Sequence, residues 1–263
     1  MKLVENNIKD LTLQQMFDEL SKLRSSLLQV DENITPGYMA VQAGCDIFRR
    51  FIPVIMTNFN NSVSLGEYIL ACGNDAIENF SESVSKIRKQ ASYFIKDGCS
   101  ILVHGNSRCV AACLDIENLT GKVYVCNADG HGNKFVQKLK SQNCSDRLDI
   151  QIIADTNVAY FMDKVDFCLT GAEGITENGG LVNQIGTFQL ALLARNFNKP
   201  FYCASESFKF TRSYPLSQGD VKNKDINYPK VDMTPPELIS LFFTDLGALT
   251  PSAVCDELIK LYE

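Results

Sequence analysis

From Asp97 onward the chain alternates short apolar runs with helical patterns, and few folds tolerate that alternation. CSILVH (99–104), KVYVCNA (122–128), DIQIIAD (149–155), VDFCLTGA (165–172) and KPFYCAS (199–205) are apolar runs rich in Val, Ile and Leu. Runs of this length without polar alternation suit strands buried on both faces. Between them stand SRCVAACLDIEN, NKFVQKLKSQ, TNVAYFMDK and GTFQLALLARNFN, each with helical spacing. Strand–helix–strand repetition predicts a parallel, doubly wound sheet, and right-handed crossovers place helices on both of its faces.

The residues before that change are helical in texture. In LTLQQMFDELSKLRSSLLQV (11–30), Leu13, Met16, Phe17, Leu20, Leu23, Leu27 and Leu28 recur at helical spacing, with Thr12 as an N-cap. A second apolar segment runs from Pro36 to Asn58, with Pro53 marking an end or a kink. A third, 66–97, carries Tyr68, Ile77, Phe80, Val84 and Ile87 on a helical period. The expected organisation is an α/β chain with an N-terminal all-helical domain, 1–97, followed by a Rossmann-like doubly wound parallel sheet, 98–263. SQGDVKNKDINYPK (217–230) is polar and aperiodic and is expected to be a mobile surface loop. Thr250 or Ser252 caps a closing helix, with Pro251 in its first turn.

Composition excludes several classes. The formal net charge is −6, which argues against general nucleic-acid binding, since that needs a basic face. The 10 cysteines are scattered through apolar context, and no signal peptide opens the chain, so a reduced, cytoplasmic setting is expected. Cys109 and Cys113 form a CxxxC pair and His104 and His131 are the only histidines, but small hydrophobes in a core explain them better than a metal site. No run approaches the roughly 18 apolar residues of a membrane span. There is no GxGxxG after a strand, no GxxxxGK[ST] and no GxSxG, so dinucleotide, P-loop and hydrolase chemistry lack their motifs, and no cofactor is expected.

In such a sheet, ligands bind beyond the carboxyl ends of the strands. The four tips are His104–Arg108, Asn127–Gly130, Asp155–Asn157 and Gly171–Gly174, all polar. Asn106 and Ser107 stand near a helix N-terminus that suits a phosphate, Arg108 adds positive charge, and Glu173 is flanked by glycines that let backbone approach a ligand. The plainer account of each tip is ordinary turn chemistry and capping.

GAEGITENGGLVNQIGTFQLALLA (171–194), NKPFYCASESFKF (198–210) and LISLFFTDLGALTPSAVCDELIKLY (238–262) resemble the alpha-subunit family of eukaryotic translation initiation factor 2B. HGNSR (104–108) and FIKDGCSILVHG (94–105) fit the same family more loosely. The superfamily also contains methylthioribose-1-phosphate isomerase and ribose-1,5-bisphosphate isomerase. Measured against those similar enzymes, the chain departs at every catalytic position. Gly105 stands for a cysteine and Glu173 for an aspartate. Gly174 and Gln184 replace an arginine and a lysine, and CNADG (126–130) replaces an arginine-containing turn. Glycine is neither acid nor nucleophile, and the lost cations would have held a phosphate.

The resemblance therefore implies a non-catalytic regulatory subunit of the guanine-nucleotide exchange factor for translation initiation factor 2. It implies a homodimer formed through the α/β domain, the other factor subunits as partners, and N-terminal helices that help sense phosphorylation of the alpha subunit of initiation factor 2. FKFTRSYPL (208–216) is the expected apolar dimer segment. A sugar phosphate is the implied ligand, held by Asn106, Ser107, Arg108, Glu173, Asn183 and Thr187. The competing expectations are a sugar-phosphate aldose–ketose isomerase acting on a ribose-1-phosphate derivative, and a stand-alone metabolite-binding module.

Overall fold

A computed structural model describes residues 62–142, 144–221, 223 and 225–262, together with 15, 18, 19, 21, 22, 25, 26 and 39–45. The described residues between 15 and 26 and between 39 and 45 are helical. Thr12, Pro36, Pro53 and the leucines of the 11–30 pattern lie outside the described residues. The third predicted segment is one long helix, α1 (Ser62–Ser92).

The main sheet contains β1 (Ser100–His104), β2 (Gly121–Cys126), β3 (Leu148–Ile153), β4 (Phe167–Thr170), β7 (Phe201–Ala204), β10 (Leu241–Phe243) and β11 (Ala248–Leu249). Its order is β11-β10-β7-β4-β1-β2-β3, parallel except for the last pair, β10 with β11. The chain winds outward from β1 to β3, then returns to β4 and winds the other way, so the switch point lies between β1 and β4. Helices α2 (Arg108–Leu114), α3 (His131–Ser141), α4 (Val158–Phe161), α5 (Thr187–Asn196) and α6 (Pro251–Tyr262) cover the two faces. The fold is α/β with a helical N-terminal region, as the sequence predicts.

Alternation along each strand divides the interior. Ile101, Val103, Val123, Val125, Phe167 and Leu169 face α2 and α3, sharing a core with Ile87 and Ala91 of α1. The intervening Leu102, Tyr124, Cys126 and Cys168 face the opposite way, into a core with Leu190 of α5 and Val254 and Leu258 of α6. Both clusters are built of hydrophobic side chains, so the sheet's polar chemistry is left to the strand ends. The ten cysteines form no disulfide, and six of them are buried.

The sequence pattern misses a second sheet of four short strands, β5 (Gly174–Thr176), β6 (Leu181–Gln184), β8 (Phe210–Thr211) and β9 (Val231–Thr234), in the order β8-β5-β6-β9. Strands of two to four residues are too short to show a period. The 217–230 segment, expected as a mobile loop, is tied along β9. Gln218 donates from Nε2 to the Met233 carbonyl at 2.6 Å and accepts the Met233 N–H at 2.9 Å. Asn223 does the same for Val231, at 2.9 and 3.1 Å. Two side-chain amides thus occupy the edge that β9 would otherwise leave open.

The glycine-rich motif forms the β5–β6 turn, where Gly179 donates to the Thr176 carbonyl at 2.8 Å. Its φ is +78°, and a Cβ there would stand 2.2 Å from the Pro251 carbonyl oxygen at the start of α6. Gly179→Ala should therefore destabilise the protein by about 1–3 kcal/mol from backbone strain alone, with the clash adding to it. Chemical denaturation would measure the loss, and an unchanged midpoint would show that the hairpin does not seat against α6.

Candidate functional site

The tips of β1 and β4 meet at the switch point. Ser107 caps α2, its Oγ accepting the Val110 N–H at 3.3 Å. Gly171 packs so tightly on it that a Cβ would stand 2.5 Å from the Ser107 Cβ. Asn106 accepts from Lys138 Nζ at 2.8 Å, which brings α3 to the same tip. Arg108 donates to Glu206 Oε1 at 2.8 Å, and Lys209 Nζ lies 3.2 Å from the other oxygen. Lys209 also donates to the Ala172 carbonyl at 2.9 Å, fixing the turn that carries Glu173. Glu173 is half-buried and its N–H bonds to the Val182 carbonyl.

Asn106, Ser107, Arg108 and Glu173 are therefore brought together around one tip, whereas Asn183 and Thr187 lie inside the protein beneath it. Asn183 Nδ2 donates to Thr170 Oγ1 at 2.9 Å and to Thr187 Oγ1 at 3.0 Å. Thr187 donates to the Gln184 carbonyl at 2.7 Å, and its oxygen is 3.2 Å from His104 Nδ1. Both amide hydrogens of Asn183 are spent on this network, so its role in the structure is to fasten β6 and α5 to β4.

Gly105 follows β1 with φ +85°, and a Cβ there would come within 3.3 Å of Gln184 Oε1. Gln184 Nε2 in turn donates to the Ala128 carbonyl at 2.9 Å. That carbonyl belongs to the CNADG turn, where Ala128, Asp129 and Gly130 all have positive φ. Successive left-handed residues are strained, and the Asp155 carboxylate holds them by accepting the Ala128 N–H at 3.0 and 3.1 Å.

A cavity of about 680 Å³ opens beside these tips, between α5 and the 217–230 segment. His104, Asp155 and Asp232 supply its acidic and basic groups, and none of the six residues selected from the sequence lines it. Asp232, on β9, is buried, and its Oδ2 accepts the N–H groups of Gly186 at 2.7 Å and Phe188 at 3.1 Å at the head of α5. Burial pushes its carboxyl up to about 6, against the pull of the Phe188, Gly186 and Thr187 amides. Burial also drives His104 down to about 4, so its imidazole is neutral at pH 7.

Sequence reasoning passed over Asp232 and Glu206. Each is a single acid within an otherwise apolar or small-residue run, VDMT and CASES, and that isolation is the available signal. A buried carboxylate needs either a cation or backbone donors, and the structure supplies one solution for each. Glu206 is 2% exposed. Burial alone would raise its pKa, yet Lys209 and Arg108 hold it at about 2. Its folded pKa is depressed, so its stabilising effect is full above the unfolded value of 4.5 and is lost as pH falls towards 2. Glu206→Gln should cost on the order of 3 kcal/mol at pH 7. Urea unfolding of both proteins at pH 7 and pH 3 should show that gap narrowing in acid.

Comparison with known proteins places this geometry in a family. The initiation factor 2 subunit family model, IF-2B, matches residues 1–251. The translation initiation factor eIF2B subunit alpha of Dictyostelium discoideum is 40% identical, covering 85% of this chain and 78% of that protein. The Caenorhabditis elegans eIF2B subunit alpha is 29% identical, covering 95% and 87%. A ribose 1,5-bisphosphate isomerase of Methanocaldococcus jannaschii is 28% identical, covering 70% and 66%. The tetrameric eIF2B-beta2-delta2 complex from C. thermophilum contains a chain of the same fold, with a TM-score of 0.77 at 17% identity, covering 99% and 86%. No described helix is long and apolar enough to cross a membrane. With a family match over nearly its whole length and a relative at 40% identity, the chain belongs to the initiation factor 2 subunit family.

Proposed function

We propose that the chain is a non-catalytic regulatory subunit of the guanine-nucleotide exchange factor for translation initiation factor 2. The observation that carries the proposal is the 40% identity to an eIF2B alpha subunit over 85% of the chain. In this role it works in the cytoplasm, as a homodimer joined through residues 98–263, with the other factor subunits as partners. The helical region, 1–97, helps sense phosphorylation of the alpha subunit of initiation factor 2. Neither nucleic acid nor membrane is a direct partner.

The proposed ligand is a sugar phosphate at the switch-point tip, bounded by Asn106, Ser107, Arg108 and Glu173, with Asn183 and Thr187 bracing the floor. Arg108 and Lys138 support that choice. Burial and the neighbouring Arg108 charge both lower the Lys138 pKa, the behaviour of two cations crowded at one place. Loss of catalysis is proposed because Gly105 offers no proton. Any side chain there would have to take a left-handed backbone and press on Gln184.

Exposed apolar residues support self-association. In FKFTRSYPL, Phe210 is buried in β8, but Tyr214 is 59% and Leu216 81% exposed. Sedimentation of the purified chain should give a dimer, and Leu216→Asp should shift it towards monomer. Tagged protein recovered from its own cell should bring other factor subunits with it. A wild-type monomer at every concentration, returned alone from the cell, would defeat the proposal.

The second reading is an isomerase, favoured by the 28% identity to a ribose 1,5-bisphosphate isomerase across 70% of the chain. Incubation with ribose 1,5-bisphosphate or methylthioribose 1-phosphate should yield no ketose product. Turnover abolished by Glu173→Gln would establish this second reading instead.

A further inference from the structure

The helical region meets the candidate tip at two separate places. Met39, in the described helical stretch 39–45, lies against Gly174. A Cβ on Gly174 would stand 3.0 Å from Met39 Cε and 3.2 Å from Met39 Cβ, so a side chain there would push the methionine away. Met39 also packs against the apolar cluster of Val182, Val221, Val231 and Met233. Gly174 and Val182 are cross-strand partners of β5 and β6, and the Val182 carbonyl accepts the Glu173 N–H at 3.0 Å. One side chain of the helical region is thus seated on the pairing that fixes Glu173.

The second place is on α1. The Phe80 ring lies 4.7 Å, centroid to centroid, from that of Phe208, within the range of a specific aromatic pair. Phe208 is the middle residue of a single 3-10 turn, Ser207–Lys209. That turn is anchored, because the Asp245 carboxylate accepts the Ser207 N–H at 2.7 Å and the Ser207 hydroxyl at 2.8 Å. The next residue, Lys209, reaches back across the tip. Its Nζ donates to the Ala172 carbonyl at 2.9 Å and lies 3.2 Å from Glu206 Oε2, on the carboxylate that also receives Arg108. A continuous path of contacts therefore leaves the helical region at Phe80, passes through Phe208, Lys209, Ala172 and Glu173, and returns to it through Gly174 and Met39.

We infer that this closed path couples the helical region to the switch-point tip. Met39 and Phe80 are positioning residues that hold the Glu173 turn from two directions, so a partner that shifts the helices alters the tip, and a ligand at the tip alters the helices. Packed side chains and hydrogen bonds in unbroken contact are the physical means by which two sites share energy. Such coupling is reciprocal and typically amounts to roughly 5–150-fold in affinity. The inference rests on the proposed roles of the tip and of the helices for its regulatory use, and on the contacts alone for the path itself.

Native-state hydrogen exchange on the full chain tests it. Met39→Ala and Phe80→Ala should each speed exchange of the Glu173 amide about fivefold or more and leave that of Leu102, in the centre of β1, unchanged. In a Lys209→Met background the effect of Phe80→Ala on Glu173 should vanish while that of Met39→Ala remains, because only the first runs through Lys209. If Lys209→Met alone does not fold, for want of a cation beside the buried Glu206, the pair Glu206→Gln with Lys209→Met takes its place. Ribose 5-phosphate, the probe for the tip, should slow exchange at Glu173 and around Phe80 together. An unchanged Glu173 amide in either single variant would overturn the inference. So would an effect of Phe80→Ala that survives removal of Lys209, equal acceleration at Leu102, or protection by the bound probe confined to Glu173. Failure of ribose 5-phosphate to bind would instead count against the sugar-phosphate reading, and the exchange of the variants would still decide the path.

Discussion

Burial of β1 on both faces sets the terms for everything around it. Ile101 and Val103 enter one core and Leu102 the other, each at 0–1% exposure, so no side chain within the strand's centre is free for chemistry. Polar groups can gather only where the strand ends and the backbone must turn. His104, Gly105, Asn106, Ser107 and Arg108 follow in direct succession there. The reversal of winding between β1 and β4 opens a crevice at that same place. The candidate site is thus a geometric result of the sheet, and its residues are held by partners that themselves sit at other strand ends.

Those partners are carboxylates used in two different ways. Glu206 is fully desolvated and neutralised by Arg108 and Lys209, which links β7 to the β1 and β4 tips. Asp232 has no lysine or arginine ion pair among the described residues and relies on the peptide dipoles at the head of α5. The opposite pKa directions of the two groups record that difference. Ion pairing outweighs burial for Glu206, and burial outweighs the amides for Asp232.

Much of the architecture could be read in advance, for identifiable reasons. Four of the five predicted strands are buried along most of both faces, so their runs stand out in sequence, whereas β3, at the sheet edge, exposes Asp149, Gln151 and Ile152; the predicted helix at 186–198 is observed at Thr187–Asn196. The second sheet could not be read that way. Its strands are two to four residues long, and two of its three pairings join segments 35 to 53 positions apart, such as Leu181 with Thr234. At the strand ends, the sequence pattern picked out Asn106, Ser107, Arg108 and Glu173, which the structure brings to one tip. It could not foresee that Asn183 and Thr187 spend their hydrogen bonds internally. Nor could it foresee that a buried acid lining the cavity, Asp232, comes from β9, 45 positions beyond Thr187.

The attachment of the 217–230 segment has a consequence for how this fold can vary. Among the described residues, Gln218 and Asn223 meet the free backbone of β9, and each does so with a side-chain amide rather than a run of main chain. Pairing of strands fixes register residue by residue, but two pins fix only their own positions. Lys230 is still held, its carbonyl accepting the Ile185 N–H and its own N–H donating to Asn223 Oδ1, so it is the stretch from Asp225 to Pro229 that can lengthen or shorten with least effect on the sheet it decorates. Evolution is left with a length-adjustable rim around the α5 cavity, mounted on a frame that does not feel the change.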